Sequence, residues 1–260
     1  MILDEICDYK KEFVASSKSR APLNAIVQQL EALEPPRKFR DALRQDGIQL
    51  IAEVKKASPS KGVLLKDIDP IGLARLYEQH GAAAVSVLTD EKYFQGSLDD
   101  FINVRRSVDL PCIRKEFIVD EYQIYESRLA QADAILLIVR ILSDEQLGEY
   151  HEIAESLGMA ALVETHDQEE IERALATGAR IVGINNRDLA TFDTDYKRSL
   201  ELKRYVPGGT VLVSESGIHT RDQVQRLEDG GIDAMLIGEA FVTSDDISAK
   251  VRELLQADAR

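Results

Sequence analysis

The 260-residue sequence has only two cysteines, no tryptophan and no long apolar run. Cys7 and Cys112 lie far apart and outside any CxxC pattern, so neither a disulfide framework nor a zinc site is expected. We interpret both cysteines as packing residues. A helix that spans a bilayer needs about 20 apolar residues, so the short apolar runs predict no membrane partner.

Targeting and metal-binding patterns are also lacking. Residues 1–13 are acidic and mixed in polarity, unlike the basic and apolar regions of a secretory signal, so we expect a cytoplasmic protein. The four histidines show no metal-ligand spacing, and we interpret each as a surface or helix-cap residue. No metal and no cofactor are predicted. The histidines are His80, His151, His166 and His219.

Positive charge is scarce. The 32 basic residues are outnumbered by 46 acidic ones, which gives a formal net charge of −14. This balance opposes binding to nucleic acid, which depends on clustered lysine and arginine. It also repels anionic substrates at long range, so any phosphate must be held by donors fixed locally, such as strand-end lysines and helix N-termini.

Eight short apolar runs alternate with stretches of helical period. The runs are nearly continuous in Val, Ile, Leu and Ala, which is typical of strands buried on both faces of a parallel sheet. The G-x-G-x-x-G turn of an open, doubly wound sheet does not occur. The sequence therefore predicts an α/β fold, a closed (β/α)8 TIM barrel in a single domain over 1–260. The predicted strands are 49–54, 83–88, 111–113, 134–139, 160–163, 180–184, 210–213 and 234–237.

Residues 1–47 precede the barrel and form a predicted N-terminal helical extension. Two amphipathic stretches, 2–14 and 22–33, are followed by a short helix at 39–43. Two interpretations stay open. The extension either plugs the bottom of the barrel or covers its catalytic face.

Ionisable and amide side chains stand at the carboxyl ends of six predicted strands. In the first strand the period of two places Ile51, Glu53 and Lys55 on one side, facing inward. A single charge marks only the point where a strand meets solvent, and ion pairing alone explains Glu53 beside Lys55. Six such groups at one end instead favour an active site. The corresponding residues of the other strands are Lys115, Glu164, Asn185, Arg187, Glu215 and Glu239.

Three loops carry further signals. Gly217 and Gly238 follow the seventh and eighth strands, where barrels often bind phosphate against backbone N–H groups. Residues 56–62 form either a mobile lid or a surface loop. The loop 90–97 contains Tyr93 and Phe94, which anchor the loop unless the ligand is itself aromatic.

Seven segments in chain order resemble the signatures of the indole-3-glycerol phosphate synthase family. The likeness extends over the whole chain, including the N-terminal extension. The segments are IAEVKKASPSKG (51–62), SVLTDEKYFQGS (86–97), RKEFI (114–118), VET (163–165), GINNRDL (183–189), SESGI (214–218) and LIGE (236–239).

The resemblance implies a carboxy-lyase of tryptophan biosynthesis. Its substrate would be 1-(2-carboxyphenylamino)-1-deoxyribulose 5-phosphate, which closes its ring and loses carbon dioxide and water to give indole-3-glycerol phosphate. By resemblance, Lys115 is the general acid and Glu164 the base of the dehydration. Lys55 orients the carboxylate and phosphate region of the substrate and can share the acid role. Glu53 and Asn185 fix the lysines and the substrate hydroxyls.

The resemblance also implies a set of substrate-binding residues. Phe94 and Phe117 form an apolar surface against the anthranilate ring. Arg187 closes the rim of the site, and Glu215 forms a polar part of its wall. Two departures from the family stand out: Asn186 replaces a frequent serine, and no tryptophan is present to stack on the substrate. The remaining binding residues are Ser58 and Glu239, with Ser216, Gly217 and Gly238 assigned to the phosphate.

Three other functions compete with this one. A phosphoribosylanthranilate isomerase-like barrel would carry a Cys/Asp pair, whereas the first strand here ends in Glu53 and Lys55. A class I aldolase would form a Schiff base on Lys115. A non-catalytic phosphate-binding barrel would have lost the ionisable strand ends. The sequence does not determine the oligomeric state, for which a monomer is the working assumption.

Overall fold

Eight parallel strands close into a barrel in the computed structural model, which describes residues 2–58, 62–63, 69–188 and 193–255. Each strand pairs with the next along the chain, and the first pairs with the last to close the ring. The predicted fold class is confirmed. The strands are β1 Gln49–Val54, β2 Ala84–Leu88, β3 Cys112–Lys115, β4 Ala134–Ile138, β5 Ala160–Thr165, β6 Ile181–Asn185, β7 Val211–Glu215 and β8 Ala234–Ile237.

Several strands are longer at their carboxyl ends than the apolar pattern predicts. Lys115, Glu164 and Glu215 were expected to follow their strands, yet each belongs to the hydrogen-bonded ladder. Glu164, for example, is paired in register with Ile138 on one side and Gly183 on the other. These charged side chains therefore stand on rigid strand backbone and not on loops.

The two faces of the sheet bury different sets of side chains. Ile51, Ile113, Leu162 and Val213 pack together in the barrel interior, as the predicted parity requires. Residues of the opposite parity, such as Ala52, pack outward against the surrounding helices. Since Glu53, Lys115, Glu164 and Glu215 lie two residues after these interior side chains, they project inward above the core.

Helices follow the strands and cover the outside of the barrel. At the start of α8 (Asp144–Ser156), the Ser143 hydroxyl accepts the N–H of Gln146 at 3.2 Å and the Gln146 side chain accepts the N–H of Ser143 at 3.1 Å, a capping box. The helix gives way to Gly158, whose φ of +77° turns the chain toward β5. The helices after β1 are α4 Pro70–Gln79, α5 Glu91–Phe94, α6 Leu98–Ser107, α7 Tyr122–Leu129, α8 Asp144–Ser156, α9 Gln168–Ala176, α10 Lys197–Leu202, α11 Arg221–Asp229, α12 Glu239–Val242 and α13 Ile247–Leu255; 3-10 turns occupy Val139–Ile141 and Lys203–Tyr205, and a two-stranded hairpin joins Ala57–Ser58 to Gly62–Val63.

The N-terminal extension contains three helices, and two of them lie at opposite ends of the barrel. Phe39 of α3 (Phe39–Ala42) and the following Leu43 belong to the interior cluster and close the amino ends of the strands. Ile2, Leu3 and Ile6 of α1 (Ile2–Arg20) line the cavity at the opposite end. Both interpretations of the extension are therefore correct, each for a different helix. The three helices are α1 Ile2–Arg20, α2 Leu23–Leu30 and α3 Phe39–Ala42.

Two further expectations concern cysteine and membranes. Both cysteines are free; Cys112 is buried on β3, as a packing residue should be, whereas Cys7 is only partly buried on α1. Within the described ranges, no helix combines the length and the apolar character that crossing a membrane requires.

Candidate active site

A cavity opens at the carboxyl ends of the barrel strands, and every strand or the turn after it contributes to its wall. Glu215 lies just behind this wall, fully buried. The side chain of Ser58 lies outside the described residues. The predicted site residues that line the cavity are Glu53, Lys55, Phe94, Lys115, Phe117, Glu164, Asn185, Arg187, Ser216, Gly217, Gly238 and Glu239.

Glu53 joins the two lysines. Its Oε1 lies 2.7 Å from Nζ of Lys55 and its Oε2 lies 3.0 Å from Nζ of Lys115. Burial by itself would raise the pKa of the Glu53 carboxyl, but the two ammonium groups outweigh burial and lower it to about 2. Glu53 is therefore ionised at neutral pH and holds both lysines at the cavity wall.

Lys115 stands among three carboxyl groups. Besides Glu53, Oε2 of Glu215 lies 3.5 Å from its Nζ. Burial alone would lower the pKa of Lys115, but Glu53, Glu215 and Glu164 outweigh burial and raise that pKa well above its ordinary value. Lys115 is thus a cation whose proton is available to a strongly basic oxygen in the cavity.

Glu215 differs from Glu53 in its charge state. Burial and the neighbouring Glu164 carboxylate raise the pKa of Glu215 to about 8, against the opposing effect of Lys115. The carboxyl is accommodated because Gly183 on β6 has no side chain, and a Cβ there would collide with Oε1 of Glu215. Glu215 therefore retains a proton near neutral pH.

Gly238 has a role that the sequence did not reveal. A Cβ at this position would lie 2.8 Å from the Cβ of Glu53, so only glycine leaves room for the Glu53 side chain. The glycine was predicted from the approach of a phosphate to the backbone. Space for the carboxylate that holds both lysines is a second physical reason for the same residue.

The turn after β7 is held in a strained conformation. Ser216 has φ of +70°, a left-handed value that costs a non-glycine residue about 1 kcal/mol or more. Asn186 is buried and donates from Nδ2 to the Ser216 carbonyl oxygen at 3.0 Å and to the Ser214 hydroxyl at 3.0 Å. Its Oδ1 accepts from the Ser199 hydroxyl at 2.8 Å. The departure at Asn186 therefore supplies an anchor for this turn.

Arg187 and Glu239 form a pair on the cavity wall. Nη2 of Arg187 lies 3.2 Å from Oε2 of Glu239, and the backbone N–H of Arg187 donates to Oδ1 of Asn185 at 3.0 Å. This pairing offsets the negative charge of Glu239 beside the predicted phosphate turns. Glu239 thereby orients Arg187.

Comparison with known proteins identifies the family of this chain. The model of the family described as indole-3-glycerol phosphate synthase matches residues 3–254. The chain belongs to the indole-3-glycerol phosphate synthase family. A protein of Acetivibrio thermocellus named indole-3-glycerol phosphate synthase is 47% identical to it, over 97% of this chain and 98% of the relative. A protein of the same name from Dehalococcoides mccartyi is 48% identical, over 98% of this chain and 100% of the relative.

Solved structures agree on the fold. A 3-hexulose-6-phosphate synthase aligns with a TM-score of 0.64 at 14% identity, covering 81% of this chain and 99% of that one. A thiamine phosphate pyrophosphorylase from Pyrococcus furiosus aligns with a TM-score of 0.62, also at 14% identity, covering 84% of this chain and 96% of that one.

The relatives confirm the family and the carboxy-lyase activity that the motifs predict. The alternatives of an isomerase-like barrel and a non-catalytic barrel are not supported.

Aromatic and apolar side chains form the cavity wall opposite the charged residues. The rings of Phe94 and Phe117 lie 5.9 Å apart at an interplanar angle of 35°. Asp90 begins α5 by accepting the backbone N–H groups of Tyr93 and Phe94 at 2.6 and 3.1 Å, which fixes Phe94 in place. The apolar residues of α1 in this wall were not predicted, although the amphipathic pattern of 2–14 indicated an apolar face there.

The histidines correct one prediction. His151 and His166 were expected at the surface or at helix caps, but both are buried. His166 is buried because β5 extends to Thr165, so this histidine stands at the strand end beside Glu164. His219 is exposed and lines the cavity. In the described part of the chain, no group of three or more His, Cys, Asp or Glu residues is placed to hold a metal.

Proposed function

We propose that the protein, as one barrel domain, converts 1-(2-carboxyphenylamino)-1-deoxyribulose 5-phosphate into indole-3-glycerol phosphate in tryptophan biosynthesis. The observation that carries this proposal is the ammonium of Lys115, held 3.0 Å from Glu53 and facing the cavity that Glu164 also lines. The groups involved all come from one chain, so a monomer suffices for activity. We also propose a cytoplasmic location, and the net charge of −14 disfavours a nucleic-acid partner.

Ring closure requires an acid. The aryl carbon that bears the carboxylate attacks the ketone carbon, and negative charge develops on the ketone oxygen. Lys115 donates a proton to this oxygen, because an alkoxide is a much stronger base than a lysine amine. Glu53 and Glu215 on either side of its Nζ restrict where the ammonium points.

The second lysine and its carboxylate orient the substrate. Lys55 is 13% exposed, so its ammonium can reach the carboxylate of the substrate while Glu53 fixes it from behind. Loss of carbon dioxide from the ring-closed intermediate restores the aromatic ring. Because Glu53 holds Lys55 and Lys115 through different oxygens, it sets the separation between the acid and the carboxylate-binding cation.

Dehydration completes the indole. Glu164, buried at the end of β5, takes the proton whose loss creates the ring double bond, and the hydroxyl group leaves as water with a proton from a neighbouring ammonium. Asn185 lies at the end of β6, next to Glu164 in the barrel order, and contacts the hydroxyls of the substrate chain.

The two ends of the substrate bind to opposite walls of the cavity. The phosphate binds near Ser216, Gly217 and Gly238, where the Asn186-anchored turn exposes backbone groups to the cavity and Arg187 supplies positive charge at the rim. The anthranilate ring lies between the apolar side chains of α1 and the paired rings of Phe94 and Phe117.

An assay of product formation tests the activity directly. Incubation of the protein with the phosphorylated aminodeoxyribulose should give indole fluorescence without added metal or cofactor, and a chelator should not change the rate. A requirement for a divalent cation would contradict the lysine mechanism.

The role of Lys115 predicts a specific defect. A Lys115→Met variant should bind the substrate with near-normal affinity in calorimetry while kcat falls by at least about 100-fold, the usual scale for a general acid. Lys38→Met is the matched control, because Lys38 is 85% exposed on α3's N-terminal side and far from the cavity wall. A near-normal kcat for Lys115→Met would remove this residue from the acid role.

A further inference from the structure

His166 is a buried titratable residue to which the proposed reaction assigns no role. It follows β5 two residues after Glu164, so both side chains project to the same side of the chain. Nε2 of His166 lies 3.7 Å from Oε1 of Glu164, beyond hydrogen-bonding distance. Among the described residues this nitrogen has no hydrogen-bond partner. A buried, unpaired ring nitrogen beside the proposed base requires an explanation.

The other ring nitrogen is held by Glu170 on α9. Nδ1 of His166 lies 3.0 Å from Oε2 of Glu170, which also accepts the backbone N–H of His166 at 2.7 Å. Burial alone would raise the pKa of Glu170, but hydrogen bonds with His166 and Arg140 outweigh burial and lower it. An ionised carboxylate only accepts hydrogen bonds, so Nδ1 carries a proton, and in the tautomer that has its one ring proton there Nε2 presents a lone pair.

The charges around His166 come from three elements. Glu164 on β5 lies on the cavity side, Glu170 and the N-cap residue Asp167 belong to α9, and Arg140 belongs to the 3-10 turn after β4. Arg140 donates to Oε1 of Glu170 at 2.7 Å and lies 3.6 Å from Asp167, so it offsets these two carboxylates. Further charged residues around the neighbouring cleft are Asp188, Arg198 and Glu201.

The lone pair at Nε2 distinguishes the two forms of Glu164. It does not stabilise the ionised carboxylate, but it can accept a hydrogen bond from the O–H of the protonated carboxyl once the two side chains close the 3.7 Å gap between them. We propose that His166, held in this tautomer by Glu170, strengthens Glu164 as the base of the dehydration step. This inference rests on the role of Glu164 proposed above.

The step balances without any added reactant. The proton passes from the ring-closed intermediate to Glu164, and the electron pair it leaves behind forms the indole double bond. The hydroxyl group departs as water with a proton from a neighbouring ammonium, and the new O–H of Glu164 donates to Nε2. His166 does not touch the substrate, so it is a positioning residue.

The pH profile of a His166→Asn variant tests the inference. Asparagine keeps a donor near Glu170 but removes Nε2, so the protonated form of Glu164 loses its acceptor. We expect kcat to fall about 10-fold with KM nearly unchanged, and the acidic limb of the kcat profile to move to lower pH. A shift to higher pH, or no shift, would overturn the proposal, because removal of an imidazolium would act in the opposite direction.

A double-mutant cycle separates this effect from a structural one. In a Glu164→Gln background, His166→Asn should cause little further loss of kcat, because the base whose protonated form His166 stabilises is already absent. Equal losses in both backgrounds would instead mean a structural role. His151→Asn is the matched control, a buried histidine on α8 that does not line the cavity, and it should leave the pH profile unchanged.

The tautomer can be measured in the wild-type protein, independently of how any variant folds. Nitrogen-15 NMR of the His166 ring should show a protonated Nδ1 and an unprotonated Nε2 at neutral pH, and the reverse tautomer or an imidazolium would overturn the proposal. An inactive wild-type protein would mean that the proposed function itself fails. An active wild type with an impaired Glu164→Gln variant and an unaffected His166→Asn variant would mean that this inference alone fails.

Discussion

At the residue scale, the two carboxyl groups that contact Lys115 differ in charge state. Glu53, with its pKa lowered to about 2, is a permanent anion between two lysines. Glu215, with its pKa raised to about 8, retains a proton although it also faces Lys115. The difference arises because Glu53 contacts two ammonium groups, whereas Glu215 has Glu164 as a neighbour. One carboxyl therefore orients the cations and the other avoids adding a further buried charge.

The raised pKa of Glu215 makes the stability of the free protein depend on pH. Between the ordinary value of 4.5 and about 8, the folded protein keeps a proton that the unfolded chain has lost. Because the folded state then binds more protons, the free energy of unfolding contributed by this group falls as pH rises through that window.

A Glu215→Gln variant cannot titrate at this position and should lose that dependence. Its free energy of unfolding relative to wild type should increase between pH 5 and pH 8 by on the order of 3–4 kcal/mol, as measured by urea unfolding at each pH. Glu145→Gln, at an exposed position on α8, should show a nearly constant difference. A constant or decreasing difference for Glu215→Gln would contradict the assignment.

At the scale of elements, α1 is fastened over the cavity by a buried ion pair. Lys10 is 1% exposed, and its Nζ lies 3.0 Å from Oδ2 of Asp90 and 3.0 Å from Oε1 of Glu116. Asp90 is the N-cap residue of α5, which carries Phe94, and Glu116 follows β3, which ends at Lys115. One lysine thus joins the covering helix to the two segments that bear the aromatic wall.

Replacing Lys10 with methionine should release this helix. The change removes the lysine cation from the buried carboxylates of Asp90 and Glu116 and leaves Glu116 with only the longer 3.9 Å contact to Arg114, which is unfavourable unless α1 moves away. We expect amide protection in α1 to fall at least about 10-fold in hydrogen exchange, and KM to rise because Ile2, Leu3 and Ile6 leave the cavity wall.

The neighbouring lysine provides the control. Lys11 is 66% exposed and pairs only with Asp8, three residues earlier on the same helix, among the described residues. Lys11→Met should therefore change neither α1 protection nor KM. Unchanged protection in Lys10→Met would show that α1 is held by its other contacts.

At the scale of the whole molecule, core residues that stabilise the barrel and the residues of the site lie at opposite ends of the strands. Phe39 of α3 is 1% exposed and packs in the interior cluster at the amino ends of the strands, while the site occupies the carboxyl ends. Interior side chains between the two ends, such as Ile51 and Leu162, are fully buried and do not line the cavity. Changes at one end should therefore have little effect at the other.

Two phenylalanine truncations test this separation. Phe39→Ala should lower the free energy of unfolding by about 3–5 kcal/mol, because it opens a cavity in the core, and should change kcat and KM by less than about 2-fold. Phe94→Ala should do the reverse, raising KM about 10-fold with little loss of stability. Denaturant unfolding and steady-state kinetics of both variants check the prediction, and a large kinetic effect of Phe39→Ala would contradict it.

The sequence by itself determined the eight strands, the parity that turns Glu53, Lys115, Glu164 and Glu215 inward, and the family. These follow from period and from motifs, which are local properties of the chain. Only the closed barrel determines which side chains of different strands meet. The register of the strands and the distances across the ring depend on residues far apart in sequence. Gly238 making room for Glu53 is one such contact. The burial of His166 beside Glu164 also required the structure, since no local pattern shows that β5 extends to Thr165.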